Sequence, residues 1–277
     1  MQTRRRRPPQ RRRSRSHNGG WLLLAVVLVG VAYFGAAGTA GTWLAKNVIQ
    51  PVASTLGLFG EEKQTPAPSA QATPTGQGSV AVEMPAQTVY TLQTGVFSSS
   101  ENASTESKNM QAKGGAGYVL QDGNNYRVLL SCYQQESEAK SVKERLAESM
   151  ETKVYPITTQ AGKAYVHTDA QATVLKEAQA MYEKARTALF EAAVLVEKPE
   201  EAKEKAKQAR TQLQELQTKL DEIDQGASVF ADALRTAVEG AMVDLGTAID
   251  GTQAQCSAWI QHACIRLCIG YMAGLKG

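Results

Sequence analysis

The first apolar feature of the chain is a run from Trp21 to Leu44 that carries no charged residue. A helix of about 20 residues crosses a hydrocarbon core of about 30 Å, so the run is long enough to span a bilayer. Trp21 and Trp43 mark its ends, where aromatic rings favour the headgroup region. After Pro51 the periodicity disappears. Glu61 to Ala86 is rich in Pro, Ala, Gln, Thr and Gly, has too little apolar material for a core, and reads as a tether. Order returns at Val89. From there to Phe97 the pattern alternates, with Tyr90, Leu92, Thr94 and Val96 on one face and Gln93 and Gly95 on the other. Ser98 with Glu101 forms a capping box for a helix that runs to about Lys113, where Gly114-Gly115 stops it.

Two short strands are expected next, Tyr118 to Gln121 and Tyr126 to Leu130, joined by the turn residues Asp122-Gly123-Asn124. A second helix carries Ala139, Val142, Leu146 and Met150 on one stripe, and Thr152 to Thr158 closes the unit as a strand. The order strand, helix, strand, strand, helix, strand predicts a ferredoxin-like βαββαβ module of the α+β class. In that arrangement the first and third strands are adjacent and antiparallel, and both helices cover one sheet face. Leu92 and Val128 are then expected to face the helices. Gln93, Asn125 and Arg127 are expected on the open face.

The C-terminal part switches to helical periodicity. Thr168 or Asp169 can cap a long helix whose seam is Leu175, Ala178, Tyr182, Ala185, Leu189, Ala192 and Val196. Pro199 suits the first turn of a second helix with the seam Ala202, Ala206, Ala209, Leu213, Leu216, Leu220 and Ile223, ended by Gly226. These two read as an antiparallel hairpin, and alanine at so many seam positions implies close approach. A third stripe runs through Phe230, Leu234, Ala237, Ala241 and Leu245, and a fourth apolar segment runs from Cys256 to Ala273. An all-α bundle of three or four helices is expected, with self-association as another way to complete its core. His262 and Arg266 make the last segment too polar for a second membrane span, so it reads as a buried or membrane-surface helix.

Charge sets the topology. The net charge is +3, but the first twenty residues hold eight arginines and no acid, so the remainder is slightly acidic. This excludes a chain that is basic throughout and binds nucleic acid through its folded part. Arginines beside an apolar run resist translocation, which puts the N-terminus inside and everything beyond about Lys46 outside the cytoplasmic membrane. A cleaved signal peptide is the rival reading, because small residues from Gly35 to Ala40 follow the strongest apolar stretch. Four cysteines, Cys132, Cys256, Cys264 and Cys268, are too few and too clustered for a disulfide scaffold. The last three share one helix face. Packed thiols are the expected reading, ahead of a metal site or an intermolecular disulfide.

Tyr90-Thr-Leu-Gln93-Thr-Gly95-Val-Phe97, Tyr126-Arg127-Val128 and Glu138-Ala139 together resemble the SPOR family, in which an opening strand of the type aromatic-x-x-Gln-x-Gly-x-Phe is common. The resemblance covers about Thr88 to Thr158. It implies binding of bacterial peptidoglycan, with a preference for glycan strands stripped of stem peptides, and concentration at the division septum. It also implies a glycan-binding set of Gln93, Val96, Asn125 and Arg127. The sequence departs from the family at Ser131-Cys132-Tyr133, where Gly-Pro-Phe is common. It departs again at Val96, where small or hydroxyl residues are frequent, and at Asn125, where some members place an aromatic ring. Amide and guanidinium groups suit a sugar ligand, since Gln both donates and accepts and Arg supplies five donors. An ordinary solvated strand residue is the plainer reading of Gln93, and a cross-strand partner to an acid is that of Arg127.

No catalytic, metal or cofactor residues are expected. The chain has His17, His167 and His262, which do not suggest a zinc amidase site, and no carboxylate pair suggests a glycosidase. The organisation expected is a basic cytoplasmic tail (1–20), a transmembrane helix (21–45), an extracytoplasmic linker (46–86), a SPOR-like module (87–160) and a helical domain (168–277). The functional expectation is a membrane-anchored peptidoglycan-binding protein of the septum or envelope, without a nucleic-acid partner. The alternative is an extracytoplasmic helical scaffold for protein–protein assembly, and a self-association or partner role for the helical domain fits either.

Overall fold

The computed structural model describes residues 80–195 and 197–276. The expected basic tail, span and most of the tether lie outside these residues. The chain order is β1 (Val80–Met84), β2 (Gln87–Phe97), α1 (Ser100–Ala112), β3 (Tyr118–Asp122), β4 (Asn125–Tyr133), α2 (Glu136–Leu146), β5 (Lys153–Thr159), β6 (Gly162–Val166), α3 (Asp169–Ala193), α4 (Pro199–Leu220), α5 (Val229–Asp250) and α6 (Gln253–Gly274). Among the described helices, none is long and apolar enough to cross a membrane.

Strands β2 to β5 form an antiparallel sheet in the order β3-β4-β2-β5, with α1 and α2 on one face. Central β2 and β4 pair as the βαββαβ pattern requires. Leu92 and Val128 face the helices and form a small core with Ala103, Met110 and Ala139. Local chemistry explains the boundaries. Ser99, one residue later than expected, caps α1 by accepting from the Asn102 amide. Gln135 and Glu138 form a reciprocal capping box at α2. Gly123, at φ 59°, opens the two-residue β3–β4 turn, as a hairpin with glycine at its first central position requires.

The strict alternation read from Val89 to Phe97 fails at one place. The β2–β4 register shifts twice between Leu92 and Gly95, so Gln93 pairs with Leu129 while Val96 pairs with Arg127. A bulge inserts an extra residue and flips the alternation beyond it. Val96 therefore stands on the face of Gln93, not on that of Leu92.

Two strands were not legible. Val80–Met84, read as tether, pairs antiparallel with Gly162–Val166, which lies in the stretch read as a connection to the helices. Each is a five-residue strand, short enough to be masked by its Pro- and Gly-rich surroundings. Val82, Met84, Ala164 and Val166 pack into the bundle core, and that burial is what makes the ribbon. The four-stranded sheet is thus inserted between the two strands of this ribbon.

The bundle has four helices. Thr168 caps α3 and Pro199 sits in the first turn of α4. The described seam positions are buried in both helices. Helix α4 stops at Leu220, earlier than Gly226 suggests. The buried Arg235 of α5 explains the stop. Its Nη2 donates to the carbonyls of Leu220 (2.7 Å) and Ile223 (2.8 Å), which satisfies acceptors that the helix leaves open. Gly226 serves the following turn, at φ 79°. Gly270 of α6 lets that helix close on α5, because a Cβ there would lie 2.1 Å from the Ala237 methyl.

The second sheet face is not left to solvent. Val89, Leu129, Cys132 and the partly buried Tyr118, Leu120, Tyr155 and Ile157 belong to the same apolar cluster as the bundle. The seam is polar as well as apolar. The Cys132 amide donates to Gln261 Oε1 (3.0 Å), and Gln261 Nε2 donates to the Ala193 carbonyl (3.0 Å). Ser257 Oγ donates to the Gly114 carbonyl (2.8 Å). Tyr182 donates to Gln87 Oε1 (2.8 Å), and Tyr271, stacked on Tyr182, donates to the Pro85 carbonyl (3.2 Å). Cys132 meets Cys264 and Cys268 of α6 at this seam, all three buried. Packed thiols are what the structure holds, and Cys256 lies apart from the other three, near Lys203 and Glu200.

Gln261→Ala leaves the Cys132 amide and the Ala193 carbonyl without their partner inside the fold. A loss of roughly 2–3 kcal/mol is expected in urea unfolding, since each unsatisfied buried group costs about 1–3 kcal/mol. Burial pushes the Cys132 and Cys264 thiols well above the usual range, while hydrogen bonds from those two thiols draw Cys268 well below it. A raised folded-state pKa gives stability that is full below the unfolded thiol value, about 8.5, and is lost as pH rises toward the folded value. Cys268, depressed, contributes in the opposite sense, but two raised thiols outweigh one, so the urea midpoint is expected to fall as pH rises above about 8.5.

Candidate functional site

The exposed part of the second sheet face lies at the β3–β4 hairpin end. Strand pairing sets its rows. Asn125 faces Asp122, and Arg127 stands between Leu120 on β3 and Val96 on β2. Gln93 and Leu129 form the next row, with Lys153 beside Gln93 on β5. Asn125, Asp122 and Lys153 are exposed, Val96 is 46% exposed, and Leu120 and Arg127 are partly so.

Arg127 organises this corner. Its Nη1 donates to Gln93 Oε1 at 2.7 Å and its Nε to Asp122 Oδ2 at 2.7 Å. The guanidinium lies 4.3 Å from the centroid of the Tyr155 ring, a cation–π contact reached across β2. These contacts fix the planar group against the sheet. A held fork loses less entropy when it bonds a ligand than a free side chain does. Gln93 is only 8% exposed, so it sits at the border of the open patch and presents its amide edge beside Arg127. Tyr155 supplies an aromatic surface. The corner thus combines neutral amides, a fixed guanidinium, a carboxylate and a ring edge on an open surface, which are the groups that bind hydroxyl and N-acetyl functions.

The structure brings Gln93, Val96, Asn125 and Arg127 onto one face. Sequence reasoning missed Tyr155, Asp122 and Lys153 as neighbours. The first needs the β2–β5 register, because Arg127 reaches it across an intervening strand. The sequence suggested a cross-strand acid for Arg127 without naming one, and the structure supplies Asp122, whose bond coexists with that to Gln93. Tyr126 packs against the helix-side core.

A second polar cluster lies where α5 and α6 meet β3. The buried Asp244 holds His262 Nδ1 (2.8 Å) and accepts from Arg266 Nε (2.8 Å), with Tyr118 and Trp259 rings against the imidazole. Among the described residues no group of three or more His, Cys, Asp or Glu side chains is placed to hold a metal ion.

Asp122→Ala removes a surface ion pair, so a stability change within about 0.5 kcal/mol is expected by thermal unfolding. The same variant removes one of the three contacts that hold Arg127, and its Nε resonance is expected to shift or broaden in an arginine-selective NMR spectrum.

Neither a curated protein nor a solved structure matches the chain. Residues 86–156, roughly a quarter of the chain, match the family model of the SPOR domain, and this stretch is the four-stranded sheet with its two helices that carries the Arg127 corner.

Proposed function

We propose that the protein binds peptidoglycan through the hairpin end of its SPOR sheet, with Gln93 and Arg127 as the principal glycan contacts and Val96, Asn125 and Tyr155 around them. SPOR domains bind peptidoglycan in cell division. The observation that carries the reading here is the Arg127 guanidinium, held by Gln93, Asp122 and Tyr155 on the open part of the family's sheet. In this reading the run from Trp21 to Leu44 anchors the protein in the cytoplasmic membrane. The sheet and bundle then lie outside, within reach of the wall at the septum or elsewhere in the envelope. The apolar stripes of the helices are spent on one another and on the sheet, which gives a scaffold role little surface to draw on.

Sedimentation with purified, peptide-free glycan strands tests the proposal. The intact chain is expected to co-sediment. Arg127→Ala and Gln93→Ala are each expected to weaken binding about tenfold or more, as the loss of a charge-assisted hydrogen bond of about 1.5–3 kcal/mol implies. Unchanged binding in both variants, with folding intact, would sink this assignment of the site.

A further inference from the structure

Given the glycan-binding reading above, the geometry of the sheet also limits how much glycan the site can take. A four-stranded sheet of this kind could offer its whole second face to a ligand. Here the open part ends, on β3 and β4, after two cross-strand rows, Asn125–Asp122 and Val96–Arg127–Leu120, while on the β2 and β5 side it continues past Gln93 to Lys153 and the half-buried Tyr155. In the next row Leu129 is fully buried, and the Tyr118 ring rests 4.9 Å from the imidazole of His262 on α6. One row further, Thr91 and Cys132 are buried and the Cys132 amide is bonded to Gln261.

Helix α6 is thus a wall across the sheet, not a loose neighbour. It is fixed at two points one turn apart, by Ser257 on the Gly114 carbonyl and by Gln261 between β4 and the end of α3. Rows on one face are two residues apart, about 7 Å along the strand, and four strands at about 4.8 Å spacing are about 14 Å wide. A sugar chain running along β4 meets α6 almost at once. One running across the strands leaves the sheet at β3 and β5. In either direction the contact surface is comparable to one or two disaccharides.

We propose that the helical unit sets the glycan length this SPOR sheet reads: α6 closes the face beyond Leu129, so the site engages a short segment of a glycan strand and gains nothing from a longer one. The unit acts as a fixed boundary of the site. Cys132 of β4 is buried against Cys264 and Cys268 of α6 at this boundary, so these thiols report whether the boundary moves.

Calorimetric titration of the full chain with peptide-free oligosaccharides of alternating N-acetylglucosamine and N-acetylmuramic acid tests this. Affinity is expected to rise up to the tetrasaccharide. From there to the octasaccharide it should change by less than about threefold, the increment that extra binding registers supply. At saturating octasaccharide the three seam thiols are expected to stay as unreactive toward an aromatic disulfide reagent as in the free protein. A tenfold gain with each added disaccharide would overturn the proposal, and so would thiol exposure on binding, which means that α6 lifts off the sheet. If those gains are abolished by Arg127→Ala, the glycan-binding reading survives and only the length limit fails. Absence of binding at every length overturns both.

Discussion

Leu129 and Cys132 project from a central strand on the side away from α1 and α2, and an apolar sheet face left in water would cost stability at about 25 cal/mol for each Å² exposed. The fold answers this constraint by laying a helix of its own chain across that face. Bulged backbone at β4 needs a partner for the Cys132 amide, and Gln261 supplies it while holding the end of α3. Sheet and bundle are therefore joined by apolar burial and by hydrogen bonds whose loss would strand buried backbone groups. The position of the Arg127 corner follows from this, since the corner is what α6 leaves uncovered.

The ribbon of β1 and β6 strengthens the same union. The chain enters and leaves the SPOR sheet through strands that belong to the bundle core, so the sheet is tied to the helices at both of its ends. The aromatic pair Tyr182 and Tyr271 sits where these connections pass, bonded to Gln87 and Pro85. A reading of two independent domains joined by a linker does not describe this arrangement, because Val82, Met84 and Val166 share a core with helices distant in sequence.

Periodic signals were legible wherever the burial pattern is local. The α3 and α4 seams, the stripe of α2, the hairpin turn and the helix-facing Leu92 and Val128 all follow from spacing, since 3.6-residue and two-residue periods decide which side chains can share a face. The bulge after Leu92 was not legible, because an inserted residue leaves no mark in the alternation except its apparent failure. Strands β1 and β6 were missed for a related reason: five residues carry little pattern, and their order comes from a pairing some eighty residues apart.

For this protein the sequence by itself determined the βαββαβ order of the sheet module, the faces of the helices, the SPOR resemblance and the candidate pair Gln93 and Arg127. These depend on residue type and short spacing. Only the tertiary structure decided that the sheet face is shared between the exposed Arg127 corner and helix α6, that Val96 stands with Gln93, and that Tyr155 and Asp122 fix Arg127. Each of those rests on strand register or on packing between segments far apart in the chain, where a shift of one residue exchanges the two faces of a strand.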